Sequence, residues 1–165
     1  RSLSMIAKNC DGAMPEPGPF TEEDTQILAS TEAALGSLRD HFDRQAIHLG
    51  LGAIWSVIGD ANTYFANQEP WALKKTDPAR MNTVLYVTAE VIRQLAILAQ
   101  PVMPDSCAKM LDQLSVAAEA RDFTNLGEGG RIAPGTPLPK PQGIFPRLVE
   151  EDATSDGKDE GKGAG

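Results

Sequence analysis

From Ile47 the apolar positions recur every three or four residues through Leu51, Ile54, Ile58, Ala61 and Phe65, the period of one face of an α-helix. That helix is predicted to stop near Pro70, because proline removes a donor and restricts the residue before it. Upstream, Thr21 has the character of an N-cap. Asp24, three positions on, brings a carboxylate back to the first turn, and Ile27, Leu28, Leu35, Leu38 and Phe42 continue as a second apolar face. Asp77-Pro78 is a third start signal, with a capping carboxylate and proline at the first helical position. It opens a long face of Met81, Val84, Leu85, Val91, Ile92, Leu95 and Leu98, closed by Pro101. A shorter helix follows from Met103-Pro104-Asp105 with Cys107, Ala108, Leu111 and Leu114. In the opening RSLSMIAKN, Leu3, Ile6 and Ala7 stand at helical spacing without a preceding cap, so the chain is expected to begin inside a helix. The Pro- and Gly-rich CDGAMPEPGP after it reads as a loop. No stretch before residue 120 alternates as a strand does. The expectation is an all-α helical bundle.

After Leu126 the pattern changes. GEGGRIAPGTPLPKPQGIFPRLVEE is rich in Gly and Pro yet keeps Ile132, Leu138, Ile144, Phe145 and Leu148, which a disordered linker would lack. The expected organisation is a bundle over residues 1–126, an extended arm packed back on it over 127–149, and an acidic, disordered tail over 150–165.

Composition narrows the function classes. A chain of 165 residues suits one domain with a real core. No apolar run reaches the ~20 residues that span a bilayer, and no signal peptide is recognisable; the expected location is the cytoplasm. Cys10 and Cys107 are too few for a disulfide framework or a zinc set. The net charge of −8 argues against a broad nucleic-acid surface. Half of that charge, however, comes from the tail, where Glu150, Glu151, Asp152, Asp156, Asp159 and Glu160 face only Lys158 and Lys162. The remainder is mildly acidic and leaves room for a small local RNA site.

Candidate catalytic chemistry is thin. His41 and His48 are seven apart on a predicted helix, but no Cys, Asp or Glu completes a metal set, so two ordinary histidines are the better reading. The GLG at residues 50–52 lacks a third glycine and a preceding strand. No Ser or Cys has an identifiable base partner. Binding is more promising. Aromatics are 5% of the chain, and one of its two tryptophans, Trp71, stands just past a predicted helix end in ANQEPWALKK. It is either a wedge at a helix junction or a platform for an unstacked base. Arg1, Lys8, Lys74, Lys75 and Arg80 are candidate contacts to phosphate or base edges. Trp71 is expected to be exposed, and Trp55, between Ile54 and Ile58, to be buried.

The wording of the sequence adds to this. DANTYFANQEPWALKK, with Asn62, Tyr64, Pro70 and Trp71, resembles a segment of methionyl-tRNA synthetases. The likeness continues through VLYVTAEVIRQLAILAQPVMPDSCAKMLDQL and closes on IFPRL, and RSLSMIAKN is similar to the family's first bundle helix. Together these cover most of residues 1–148. The resemblance implies an anticodon-binding helical bundle of the class I synthetase type, with Trp71 stacking on an anticodon base and Arg1 reading the anticodon. Pro70 and Asn62 belong to the same implied site. An Asn four residues before that Arg, on the same helical face, has no counterpart here. The family's His-Ile-Gly-His-like and Lys-Met-Ser-Lys-Ser-like motifs are also absent, so the resemblance implies a C-terminal piece without a cofactor or metal of its own. ATP with Mg would then belong to the catalytic domain of the same synthetase, and the partners would be that domain and methionine tRNA, with no membrane and no DNA. Two alternatives stand beside this: the equivalent domain of an isoleucine, valine or cysteine synthetase, and a helical protein-interaction module with Trp71 as its anchor.

Overall fold

The computed structural model describes residues 1–145. Leu148 and the acidic tail, on which two of the expectations rest, lie outside them. The described residues form six α-helices: α1 (Ser2–Asn9), α2 (Glu22–Asp43), α3 (Ile47–Gln68), α4 (Pro70–Thr76), α5 (Pro78–Ala99) and α6 (Pro104–Gln113). Three short 3-10 turns follow, between Ala118 and Gly130. No strand occurs among the described residues; Ala13 and Pro137 form an isolated antiparallel bridge.

α5 is the axis of the bundle, and α1, α2, α3, α4 and α6 all pack on it. Its sequence explains this position. Val84, Leu85, Val87, Ala89, Val91, Ile97 and Leu98 are at most 1% exposed, so the helix is buried on nearly every side, as a central helix must be, with Glu90, Arg93 and Gln94 among its buried polar positions. It starts as the sequence predicts, with Asp77 accepting a hydrogen bond from the Arg80 amide and Pro78 at the first helical position. α2 likewise opens on a reciprocal capping box between Thr21 and Asp24.

Two helices depart from expectation. Pro70 does not simply end a helix: it opens α4, because Glu69 turns the chain through the left-handed region (φ 44°, ψ 53°) and proline is well suited to a first helical position. The α3 face is also rotated. Ile54, Val57 and Tyr64 are its buried positions besides Gly50, whereas Ile47 is half exposed and Leu51, Ile58, Ala61 and Phe65 are half-buried. Trp55 is consequently 54% exposed rather than buried. Adjacent residues on a helix point about 100° apart, so standing beside buried Ile54 turns Trp55 away from the core.

The extended arm returns across the bundle. Leu138 N–H donates to Gly12 O, Met14 N–H to Thr136 O and Gly135 N–H to Met14 O. Ile132 is 8% exposed and Leu138 packs on the same cluster as Ile6 and Met14. Gln113 exchanges two hydrogen bonds with the Gln142 backbone. Beyond that point contact weakens: Ile144 is half-buried and Phe145 is 66% exposed, so Phe145 does not dock as the sequence led us to expect.

Candidate nucleic-acid interface

An open pocket of about 440 Å³ lies where α1, α3, α4 and α5 meet. Three residues singled out in the sequence line it together: Arg1 at the start of α1, Asn62 on α3 and Trp71 in the first turn of α4. Its floor is apolar, with Ile58, Ile92 and Leu95 among its lining residues. The helical period explains the α3 contribution. Ile58, Asn62 and Phe65 follow at intervals of four and three, so they rise along one face.

Trp71 is 50% exposed. Phe65 meets it edge to face, with ring centroids 6.0 Å apart and planes at 63°, a favoured aromatic geometry. Phe65 supports the platform and was not expected at the site; its place one turn after Asn62 is the signal that identifies it. Pro70 is buried and is not part of the lining. Its contribution is to begin α4, which sets where the next side chain emerges.

Arg1 is the one charged residue lining the pocket. It is exposed and makes no ion pair among the described residues. A guanidinium offers donors only, while an amide such as that of exposed Asn62 offers both donor and acceptor. An aromatic face, a fork of donors and a mixed donor–acceptor group around an apolar floor can hold a flat ring and distinguish its polar edge.

The remaining cations behave differently. Lys8, Lys74 and Lys75 are exposed but do not line the pocket. Arg80, expected as a phosphate contact, is instead committed inside the fold. Its Nη2 lies 2.8 Å from Asp24 Oδ1, its Nη1 binds Asp24 Oδ2, and its Nη2 also donates to Gln68 Oε1 at 2.6 Å. Sequence could not reveal this, because Asp24 and Arg80 are 56 residues apart.

Asp24 has no exposed surface. Burial would raise its pKa, but hydrogen bonds from Arg80, Tyr64 and the Thr21 amide, with the Arg80 charge, outweigh it and hold the carboxyl below the usual range. The Tyr64 hydroxyl, 2.5 Å from Asp24, is pushed up by burial and by that carboxylate.

The model of the anticodon binding domain of methionyl tRNA ligase matches residues 14–160. The chain belongs to this family. A methionine–tRNA ligase of Rhizobium meliloti is 56% identical over 153 residues, covering 93% of this chain and 30% of that relative. The Mycobacterium tuberculosis methionine–tRNA ligase is 52% identical over 151 residues, 89% of this chain and 29% of the relative. The chain therefore spans under a third of the length of these relatives. The crystal structure of apo M. tuberculosis methionyl-tRNA synthetase superposes with a TM-score of 0.86 at 52% identity, covering 90% of this chain and 30% of that one. The complex of the same synthetase with methionyl-adenylate gives a TM-score of 0.84. The bundle is thus an anticodon-binding domain of the methionyl-tRNA ligase type, and the isoleucine, valine and cysteine alternatives are not favoured.

No helix among the described residues is long and apolar enough to cross a membrane. No group of three His, Cys, Asp or Glu residues among them could hold a metal ion. His41 is half-buried and His48 exposed, and both cysteines are free.

Proposed function

We propose that this domain recognises the anticodon loop of methionine tRNA, and that the whole protein ligates methionine to that tRNA. The observation that carries the reading is the convergence of Arg1, Asn62 and Trp71, from three separate helices, on one pocket whose lining includes a single charge. Single-stranded RNA loops present unstacked bases, which proteins stack on aromatic rings and read along their hydrogen-bonding edges. Trp71 takes an anticodon base on its exposed face. Arg1 and Asn62 read the edge, and a base with the wrong pattern leaves polar groups unpaired and is rejected. The location is the cytoplasm.

In this reading the domain selects and the catalytic domain of the same synthetase performs the chemistry. That domain uses ATP with Mg; no step of the activation is assigned to residues of this chain. Lys8, Lys74 and Lys75, exposed and outside the pocket, supply the sequence-independent attraction to backbone phosphates.

The test is titration of the purified protein with a methionine tRNA anticodon stem-loop across a salt series. Affinity should fall steeply as salt rises, because bound phosphates release condensed counterions. Loops with substituted anticodon bases should bind more weakly at every salt. Equal binding of all anticodons, or an affinity indifferent to salt, removes the reading and returns the pocket to a protein partner.

A further inference from the structure

Asp24 and Arg80 face away from every role assigned above, yet they form a dense polar contact. Asp24 accepts hydrogen bonds from the Thr21 amide at 2.9 Å, the Tyr64 hydroxyl and both Nη atoms of Arg80. Arg80 in turn reaches two more places. Its Nη2 donates to Gln68 Oε1 at 2.6 Å, and its backbone N–H donates to Asp77 Oδ1 at 3.0 Å. Gln68 is the last residue of α3 and Asp77 the cap of α5. Between them lie only Glu69 and α4. The Asp77 bond is the backbone cap that any residue at 80 would supply; the Arg80 side chain, seated in the first turn of α5, ties that turn to the end of α3 and so closes the segment that carries Trp71 from its other side.

That segment needs fastening. α4 has seven residues, too few for a helix to persist on its own propensity. It begins beside Glu69, a residue other than glycine held at φ 44°, a conformation that persists only where surroundings enforce it. Ion pairs removed from solvent are seldom retained for stability, since apolar residues often serve as well or better; holding one arrangement among several is the better-attested use.

We infer that Arg80, oriented by Asp24, is a positioning residue for RNA recognition: it acts through Trp71, by fixing α4 so that the indole stands against Asn62 and Arg1, and does not touch RNA itself. The inference rests on the anticodon reading for its ligand. It differs from the expected phosphate contact because both Nη atoms already have partners inside the fold and the Asp24 carboxylate balances the charge.

The experiment uses the full-length protein that carries this domain, with a fluorescein-labelled methionine tRNA anticodon stem-loop as probe. The Arg80→Met variant should raise Kd about fivefold or more, yet no further than Trp71→Ala does, since loss of one base stack sets the ceiling. Combining the two should add nothing beyond Trp71→Ala alone, because Arg80 acts only through that ring. The salt slope should stay unchanged, whereas a lost phosphate contact lowers it by about one. An equal loss with and without Trp71, a reduced salt slope, or an unchanged Kd each overturns the inference. If Arg80→Met does not fold, Gln68→Met removes the bond at the front of α4 without stranding a buried charge, and the same outcomes apply to it.

A separate reading needs no RNA. The fluorescence that Trp71 contributes, taken as the difference between proteins with Trp71 and with Trp71→Ala, should change in its acrylamide quenching when Arg80→Met is introduced. Should Trp71→Ala bind the stem-loop as well as the parent, the anticodon reading fails. Altered quenching then still supports the positioning role, and unaltered quenching overturns it.

Discussion

Glu90 and Arg93 form an ion pair in which neither side chain reaches solvent, Arg93 Nε lying 3.0 Å from Glu90 Oε2. Each partner spends its remaining capacity on the segment after α6. Arg93 donates to the carbonyls of Asn125 and Gly127, and Glu90 accepts the Ile132 amide at 2.7 Å. Gly127 sits at φ 75°, and a Cβ there would press on the Glu32 carboxylate, so a glycine suits the place. The pair is thus a bracket through which the central helix holds the arm. Breaking it by removing one partner leaves the other buried and unbalanced. Arg93→Met should cost ~3–5 kcal/mol of stability, read from denaturant midpoints, and should expose residues 125–132 to proteases. A loss below ~1 kcal/mol would show that the arm holds itself.

The arm's anchorage should be uneven along its length. Of the described residues, ending the chain after Gln142 removes only Gly143, half-buried Ile144 and exposed Phe145, whose share of the stability should be under ~1 kcal/mol. Ending it after Arg131 also removes Ile132 and Leu138, and buried apolar side chains contribute ~1.5–3 kcal/mol each. Thermal melts of the two truncations should separate widely. Equal melts would place the anchorage elsewhere.

The two tryptophans should behave alike in folding and differently in binding. Both are about half exposed, Trp55 at 54% and Trp71 at 50%, so replacing either with alanine leaves no core cavity and should change stability only slightly. Ile54→Ala, beside Trp55 but 1% exposed, should cost ~2–5 kcal/mol. Stem-loop binding should fall by ~1–3 kcal/mol for Trp71→Ala and hold for Trp55→Ala. Reversal of the two stability results would restore Trp55 to the core.

What the sequence conveyed depended on the range of each interaction. Thr21 with Asp24 and Asp77 with Pro78 are neighbours in the chain, so their caps could be read directly. The spacing of Met81, Val84, Leu85 and Val91 gave α5 as a long buried helix for the same reason. Trp55 was misplaced because adjacency to Ile54 is a statement about order, not about face. α3 does stop at Gln68, as the proline two residues on predicts, but nothing local says that Glu69 will turn left-handed and that a new helix will open at Pro70. Arg80 looked like a free cation because its partners Asp24 and Gln68 are brought to it only by folding. In the pocket, Trp71 and Arg1 stood out by residue chemistry and again in the resemblance, and Asn62 in the resemblance alone, whereas Phe65 and the floor of Ile92 and Leu95 required the packed helices.

The acid side of the stability profile should report on Asp24. Its folded-state pKa is lowered, so on acidification the unfolded chain takes up the proton first. The stability it contributes is present above the ordinary carboxylate range, near ~4, and is lost as pH falls through the lowered folded value. Asp24→Asn should be less stable than the parent at neutral pH, with the gap closing below about pH 4. Glu90 works in the opposite sense: burial raises its pKa more than Arg93 and the Ile132 amide lower it, so its contribution is greatest at low pH and is lost as pH rises through the raised value. Denaturation at several pH values, with Asp24→Asn and Glu90→Gln compared separately, isolates the two. A gap that stays constant for Asp24→Asn would mean that its carboxyl titrates normally.

The joint between the loop after α1 and the arm also has a meaning in time. Met14, 1% exposed, exchanges hydrogen bonds with Gly135 and Thr136, which belong to the opposite end of the described residues. A ribosome delivers these partners at different moments. The four helices from α2 to α5 can meet one another as they emerge, since most of their contacts are to near neighbours in the chain, but the Met14 backbone stays wet until the arm has been made. Closure of this seam is therefore a late event in biogenesis, and it ties the completion of the bundle to synthesis of the arm.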